Sequence, residues 1–232
     1  MPASNLPAFP VASPTLPVMG SDLVFPVRRI FCVARNYPEH AREMGGDGRE
    51  APFFFTKPAD SVLAVPADGP GRMAYPSRTA NLHHEVELVL ALGGGGRDLS
   101  MEQAAACLFG CAIGIDMTRR DLQADLKAKG RPWDVAKGFD QSAPIGPIHP
   151  MTEAPRRGSI TLAVNSAEKQ RGNLADMLWS PLEVVAELST YFELKAGDLV
   201  FTGTPSGVGP VERGDVMSAA IEGLGAIVVR VS

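Results

Sequence analysis

The sequence predicts an α+β fold that is mainly β and is built on folded antiparallel sheets. Twenty prolines and 24 glycines are spread along the 232 residues, which indicates many short elements joined by turns. Most apolar segments are short and bounded by turn residues, as strands are. The few helical segments do not alternate regularly with the strands, so a βαβ architecture is not expected. The chain has no internal repeat and no evident domain boundary.

The predicted strands follow from short apolar or alternating segments. In chain order they cover residues 23–33 (a bent strand or a strand pair), 52–57, 87–92, 109–117, 160–164, 169–171, 199–202 and 226–231. Asn165-Ser166 predicts the turn of a hairpin. The glycine run 93–96 lacks the lysine and the following helix start of a phosphate loop, so we expect a hairpin turn there as well.

Four segments carry the predicted helices. They cover residues 39–44 (ended by two glycines), 100–107 (with Ser100 as the N-cap), 119–129 (closed by Gly130) and 181–192 (with a proline in the first turn). A serine cap and a first-turn proline are typical helix starts. The double glycine after the first helix would let that helix move, as a lid does.

Composition excludes several classes of protein. Apolar residues make up 45% and charged residues 21% of the chain, as in ordinary soluble domains. The net charge of −4 argues against a nucleic-acid surface, which needs a basic stripe. No apolar run is long enough to cross a membrane. The three cysteines form no Cys-x-x-Cys pair, so neither a disulfide framework nor a zinc site is indicated.

The first 22 residues are expected to form an extended arm, followed by a single catalytic domain over residues 23–232. The arm is rich in proline, and no basic residue precedes Arg28. A secretory signal needs a positive start and an unbroken apolar segment. We therefore expect a cytoplasmic protein.

Two glutamates at the start of an apolar strand are the most informative feature. Side chains alternate along a strand, so Glu85 and Glu87 point to the same face, with Val86 on the other. Two like charges about 7 Å apart resist burial unless a cation holds them. A pair of oxygen ligands suits Mg²⁺, Mn²⁺ or Ca²⁺ rather than zinc. The alternative is a solvated strand end with two ordinary surface carboxylates.

Asp116 is the candidate for a third carboxylate ligand. It ends the apolar strand 109–117, directly before the predicted helix 119–129. As a ligand it would complete a site of three carboxylates with water in the remaining positions, the arrangement that Mg²⁺ prefers. Alternatively it caps the following helix.

Four further residues are candidates for contact with an anionic substrate. Arg120 and Gln123 lie three residues apart and share one helix face, which is otherwise a solvated face. Lys137 follows an apolar segment, so it is either a partly buried electrostatic stabiliser or a side chain that reaches to water. Thr204 lies in a glycine-rich loop that either binds a carboxylate or is purely structural.

His40 and Glu43 are the candidates for a general base. They lie three residues apart on the first predicted helix, so Glu43 can accept a hydrogen bond from the imidazole and orient it. By itself this spacing is weak evidence.

Five ordered motifs lie at residues 32–40, 81–88, 116–123, 133–139 and 202–209. Over roughly residues 26–231 they resemble the fumarylacetoacetate hydrolase family, and the sequence looks like the short fumarylpyruvate hydrolases within it. The resemblance implies a β-roll with a few peripheral helices and a homodimer. Two departures from the family pattern are Ala34 and Ser166, where relatives usually have glycine.

The resemblance also implies roles for the candidate residues. Glu85, Glu87 and Asp116 are expected to bind Mg²⁺ or Mn²⁺, with Ca²⁺ possible. The remaining roles are water activation by His40 and Glu43, contact with the reacting carbonyl by Lys137, Gln123 and Arg120, and binding of the substrate by Arg35, Arg120 and Thr204.

The implied activity is metal-dependent hydrolysis of a carbon–carbon bond in an acylpyruvate, such as fumarylpyruvate to fumarate and pyruvate. The expected partner is therefore a small anionic keto acid. Decarboxylation of oxaloacetate and isomerisation of a dienedioate are alternatives, because both use the same enolate and metal. A zinc protease is disfavoured, because His83-His84-Glu85 lacks the His-Glu-x-x-His spacing of the helical zinc-binding motif. A non-catalytic binding protein stabilised by a metal is the alternative from another class.

Overall fold

The computed structural model describes residue 9, residues 11–39 and residues 51–232. The predicted helix 39–44 therefore lies, apart from its first residue, outside the described residues.

The described residues form eighteen strands. They are β1 (Thr15–Pro17), β2 (Val24–Pro26), β3 (Arg29–Val33), β4 (Phe54–Lys57), β5 (Val62–Ala64), β6 (Gly71–Met73), β7 (Leu82–His84), β8 (Val86–Leu92), β9 (Leu108–Ile115), β10 (Thr118–Arg119), β11 (Ala143–Ile145), β12 (His149–Pro150), β13 (Ser159–Val164), β14 (Ala167–Asn173), β15 (Asp198–Phe201), β16 (Gly209–Val211), β17 (Val216–Ile221) and β18 (Gly225–Val231). The α-helices of the same residues are α1 (Met101–Ala106), α2 (Arg120–Ala128), α3 (Asp134–Lys137) and α4 (Pro181–Tyr191).

An eight-stranded mixed sheet forms the centre of the fold. Its strand order is β4-β3-β15-β8-β9-β11-β5, with β12 also paired to β9. The pairs β3–β15 and β5–β11 are parallel, and the other pairs are antiparallel. A five-stranded sheet has the order β14-β13-β17-β18-β6, and a three-stranded sheet has the order β10-β7-β16. These sheets and the few helices confirm the expected mainly-β α+β fold.

Strand β8 is covered on both faces, and its alternation separates two hydrophobic clusters. Leu88, Leu90 and Leu92 belong to one cluster, together with residues of the five-stranded sheet and of α4. Val89 and Ala91 belong to the other cluster, together with residues of β1, β2 and β15. All seven residues of β8 are buried, which explains why the segment is almost wholly apolar.

The N-terminal segment is in part built into the fold. Strand β1 pairs with β2 in antiparallel fashion, and Leu16 is completely buried. Residues 15–17 are thus extended, as expected for an arm, but they pack against the domain. A single catalytic domain over residues 23–232 stays a prediction.

The glycine run 93–96 is not the hairpin turn that we expect from the sequence. Strands β8 and β9 are antiparallel neighbours, but their connection includes helix α1. Gly95 passes so close to Leu194 that an added Cβ would lie 1.9 Å from the Leu194 carbonyl oxygen. The run therefore serves close backbone packing. The sequence patterns do not predict strands β5, β6, β10, β11, β12, β16 and β17 or helix α3.

Both departures from the family pattern can be judged from the backbone. Ala34 is absent from the described residues with positive φ, so its position does not require glycine. Asn165 and Ser166 have φ of +50° and +68° and form the two-residue turn between β13 and β14.

Within the described residues, no helix combines the length and apolar character that a membrane crossing requires.

Ser166→Gly should stabilise the protein by about 1 kcal/mol, because glycine adopts the left-handed conformation without the steric cost of a Cβ. The measurement is the free energy of unfolding in urea. Ser218 is an exposed residue of β17, and Ser218→Gly should be destabilising by roughly 0.5–1 kcal/mol. Equal effects of the two substitutions would contradict the backbone argument.

Candidate metal centre

Three carboxylates converge at one point in the interior. Glu85 lies between β7 and β8, Glu87 is in β8, and Asp116 directly follows β9. One oxygen atom from each lies within 4.8 Å of one oxygen of each of the others. The exposed fractions of the three residues are 5%, 2% and 1%. The side chains therefore form a buried cluster, and the solvated strand end is excluded.

The pairing of β8 with β9 brings the carboxylates together. Glu87 lies opposite Gly114 in this pair. The N–H of Asp116 donates a hydrogen bond of 2.8 Å to the backbone carbonyl of Glu85. The N-cap of α2 is Arg119, so Asp116 does not cap that helix. Its carboxylate points instead toward the glutamates.

Two buried lysines balance part of the negative charge. Lys137 Nζ lies 2.9 Å from Glu85 Oε2 and 2.6 Å from Asp116 Oδ2. The attraction of Asp116 and Glu85 raises the pKa of Lys137, although burial acts in the opposite direction. Lys57 Nζ lies 2.7 Å from Asp116 Oδ1. Both lysines therefore form ion pairs with the cluster.

The role of Lys57 is not evident from the sequence analysis. Its ammonium donates hydrogen bonds to the backbone carbonyls of Met117 (3.2 Å), Ser142 (3.0 Å) and Lys137. It thus connects β4 with the segments that carry Asp116 and Lys137. The only local signal was a lysine that ends an aromatic strand before Pro58.

Glu87 is the carboxylate with the least compensation. Among the described residues it makes no ion pair, and its Oε2 accepts a hydrogen bond of 2.6 Å from the N–H of Gly203. Burial raises the pKa of Glu87 well above its usual range, and the charges of Asp116 and Glu85 add to this effect. Gly203 has a φ of +94°, and an added Cβ would lie 2.7 Å from that of Asn36. Glycine is therefore required where the backbone approaches Glu87.

The donor set fits a hard divalent cation. All three candidate ligands are carboxylate oxygens, which Mg²⁺, Mn²⁺ and Ca²⁺ prefer. A cation at this point would offset the mutual repulsion of the carboxylates, which adds to the effect of burial on the pKa of Glu87.

The predicted substrate residues surround the same small cavity. Glu85, Glu87 and Lys137 line it, whereas Asp116 is not among its lining residues. The other residues lining the cavity are Ala34, Arg35, Phe55, Arg120, Gln123, Trp133 and Thr204. The structure therefore brings together the predicted site residues that it describes. His40 and Glu43 lie outside the described residues.

Arg120 is held by three partners. Its guanidinium pairs with Glu85, donates a hydrogen bond of 2.6 Å to Gln123 Oε1, and donates one of 3.3 Å to His83 Nδ1. Burial, followed by the charge of Arg120, lowers the pKa of His83 to about 4. His83 is therefore neutral at neutral pH.

Thr118, another residue that the sequence analysis missed, donates a hydrogen bond of 3.1 Å to Glu85 Oε1.

A second cavity of about 390 Å³ adjoins the first. Phe55, Trp133 and Lys137 line both cavities. The Trp133 ring lies 5.5 Å from the ring of Phe53 and 6.1 Å from that of Phe55, edge to face in both cases. The exposed Arg131 also lines this cavity. The metal centre thus shares Phe55, Trp133 and Lys137 with a neighbouring cavity that has aromatic walls and is also lined by Arg131 and Asp134.

Comparisons with known proteins identify the same family along most of the chain. Residues 29–232 match the family model described as fumarylacetoacetate (FAA) hydrolase C-terminal. A crystal structure of fumarylpyruvate hydrolase from Pseudomonas aeruginosa, in complex with Mn²⁺ and pyruvate, has 54% identity and a TM-score of 0.93. The match covers 96% of this chain and 97% of that chain.

Two curated relatives carry different activities. A fumarylpyruvate hydrolase of a Ralstonia species is 43% identical over 179 residues, which cover 77% of this chain and 91% of the relative. An oxaloacetate tautomerase of Escherichia coli is 37% identical over 207 residues, which cover 88% of this chain and 93% of the relative.

Mn²⁺ should raise the melting temperature more at pH 8 than at pH 5.5. Because the folded-state pKa of Glu87 is raised, the metal-free folded protein binds more protons than the unfolded chain between the ordinary and the raised pKa. Its stability therefore falls as pH rises through this window. A cation that binds the folded protein reverses the loss, whereas at low pH it must displace the proton.

The check is thermal unfolding at both pH values, with and without Mn²⁺. Glu87→Gln should reduce both the metal-induced shift and its pH dependence, whereas Glu102→Gln, on the exposed start of α1, should change neither. A metal-induced shift of the same size in the Glu87→Gln variant would contradict the assignment.

Proposed function

The chain belongs to the fumarylacetoacetate hydrolase family, and from this premise we propose that it hydrolyses the carbon–carbon bond of an acylpyruvate. The substrate that we propose is fumarylpyruvate, with fumarate and pyruvate as products. The cofactor that we propose is Mg²⁺ or Mn²⁺. The main support is the buried cluster of three carboxylates beside Lys137, combined with the 54% identity to the Mn²⁺- and pyruvate-bound fumarylpyruvate hydrolase.

Cleavage of an acylpyruvate leaves a three-carbon enolate, and this charge must be stabilised. A divalent cation held by Glu85, Glu87 and Asp116 would supply Lewis-acid stabilisation of that charge. The protein itself provides the Lys137 ammonium beside the same carboxylates. A fixed, buried cation of this kind needs no reorganisation during the reaction.

Gln123 is suited to donate to the carbonyl that water attacks. Its Oε1 already accepts a hydrogen bond from Arg120, so its amide nitrogen is the end that can donate into the cavity. Together with Lys137 it would stabilise the developing oxyanion. Removal of one such donor costs about 2.7–4 kcal/mol in typical enzymes.

His40, oriented by Glu43, is the proposed general base for water, on the basis of the family resemblance. Arg35 and Thr204 are proposed to bind the substrate together with Arg120. Arg35 lines the cavity with its guanidinium 5.6 Å from the Phe53 ring centre. Positive charge around the cavity suits a dianionic keto acid.

The adjoining cavity is proposed to hold the acyl group. A fumaryl group is flat and carries a terminal carboxylate. The Trp133 and Phe55 rings offer flat walls, and Arg131, which lines the cavity together with Asp134, offers a cation that can pair with the carboxylate. This cavity therefore favours a charged, unsaturated acyl group over a small neutral one.

Oxaloacetate is the second candidate substrate. Its decarboxylation also passes through an enolate, and the Escherichia coli relative is an oxaloacetate tautomerase. Isomerisation of a dienedioate is a further alternative with the same enolate.

A homodimer and a cytoplasmic location remain predictions from the resemblance and the sequence.

Wild-type protein with Mn²⁺ should remove the enol absorbance of fumarylpyruvate and release equal amounts of fumarate and pyruvate. A chelator should abolish the reaction. His40→Ala should lower kcat by roughly 10²–10⁴-fold, because general base catalysis is lost, and should retain Mn²⁺ binding as measured by calorimetry. Turnover of oxaloacetate without turnover of any acylpyruvate would refute the hydrolase assignment.

Arg131→Gln should raise KM for fumarylpyruvate by about tenfold, which corresponds to one charge-assisted hydrogen bond. KM for acetylpyruvate, whose acyl group has no carboxylate, should stay unchanged. Arg72 is an exposed residue of β6 that lines neither cavity, so Arg72→Gln is the matched control. Equal effects of Arg131→Gln on both substrates would contradict the proposed acyl site.

A further inference from the structure

Gln170 connects the strand that carries the glutamates with the loop that carries Thr204. It lies in β14 and is completely buried. One end of its amide contacts the backbone of Val86, and the other end contacts the loop at Pro205. A buried polar side chain between two parts of a site suggests more than packing.

Backbone partners determine which end of the amide is which. The N–H of Val86 can only donate, and it lies 3.1 Å from Gln170 Oε1. The carbonyl of Pro205 can only accept, and it lies 2.9 Å from Gln170 Nε2. A flipped amide would place like groups against each other at both ends. The orientation of Gln170 is therefore fixed.

This orientation sets the direction of the hydrogen bond to Thr204. Gln170 Nε2 donates its second hydrogen to Thr204 Oγ1 over 2.8 Å. Because the Thr204 oxygen accepts here, its hydroxyl proton is free to be donated elsewhere. Thr204 is buried and lines the cavity together with Glu85 and Glu87. The hydroxyl is thus prepared to act as a donor to an anion in that cavity.

His84 completes the hydrogen-bonding capacity of Gln170. The second lone pair of Gln170 Oε1 faces Nδ1 of His84, and the two atoms lie 2.8 Å apart. Since Oε1 can only accept, Nδ1 must carry the proton, and the imidazole is held in that tautomer. Both hydrogens and both lone pairs of the amide are therefore used, and rotation of the amide would break four hydrogen bonds.

We propose that Gln170 is a positioning residue that makes the Thr204 hydroxyl a donor to the carboxylate of the keto-acid substrate. The loop of residues 203–209 and the strand of the glutamates are held in register by the same amide. This inference rests on the proposed function, because it assigns the anion in the cavity to the substrate. Gln170 is not among the residues that line the cavity, so it acts through Thr204.

Gln170→Glu is the sharpest substitution, because it keeps the shape but has at most one proton to donate where glutamine has two. Thr204 must then donate toward residue 170, or the Pro205 carbonyl loses its partner. KM for fumarylpyruvate and the inhibition constant of pyruvate should both rise about tenfold or more, and kcat should change less. Gln141→Glu, the same change where the side-chain oxygen accepts a hydrogen bond from the Ala74 N–H, should leave both constants unchanged.

A double-mutant cycle separates positioning from general structure. Thr204→Val removes the hydroxyl and should raise KM, and in that background Gln170→Glu should have little further effect. An undiminished effect in the Thr204→Val background would overturn the proposal.

If Gln170→Glu fails to fold, Thr204→Ser and Thr204→Val provide the second test. Serine keeps the donor and should retain the wild-type KM, whereas valine should not, and equal KM values for the two variants would overturn the proposal. A wrong function assignment would be recognised separately, because the wild-type protein would then not turn over fumarylpyruvate at all.

Discussion

Three carboxylates within 4.8 Å of one another in the protein interior are the constraint on which the site depends. An isolated buried charge is costly, and like charges at this distance repel each other strongly. The surrounding structure compensates with two buried lysines, with Arg120 and with the N–H of Gly203. A pair of charges can persist in a protein interior only with such partners. The negative charge of Glu87 is only partly balanced by these groups, and a divalent cation would supply the missing positive charge.

The sheet provides this arrangement at little conformational cost. Strand β8 is buried on both faces, so its position is fixed by packing along its whole length. Pairing with β9 then sets where Asp116 emerges relative to Glu85 and Glu87. Ligands on such a framework keep their relative positions when a substrate binds or leaves, as preorganised electrostatic catalysis requires. The substrate residues on α2, α3 and the loop 203–209 are attached around this framework.

The carboxylate ligands were predictable because their signal is local. Alternation puts Glu85 and Glu87 on one face, and an aspartate at the end of an apolar strand indicates a third ligand. Most long elements were predictable for the same reason, whereas several short strands were not, because their partners are distant in the chain. The roles of Lys57 and Gln170 were not predictable for the same reason, because their partners are distant in the chain. Lys57 bonds to the carbonyl of Lys137, 80 residues away, and Gln170 to His84, 86 residues away. No local pattern specifies such pairs.

Anomalous diffraction from crystals soaked with Mn²⁺ would locate the bound cation. We expect one strong peak bounded by oxygens of Glu85, Glu87 and Asp116, with the Lys137 ammonium still lining the cavity. A peak at another position, or none at a Mn²⁺ concentration that supports turnover, would contradict this expectation.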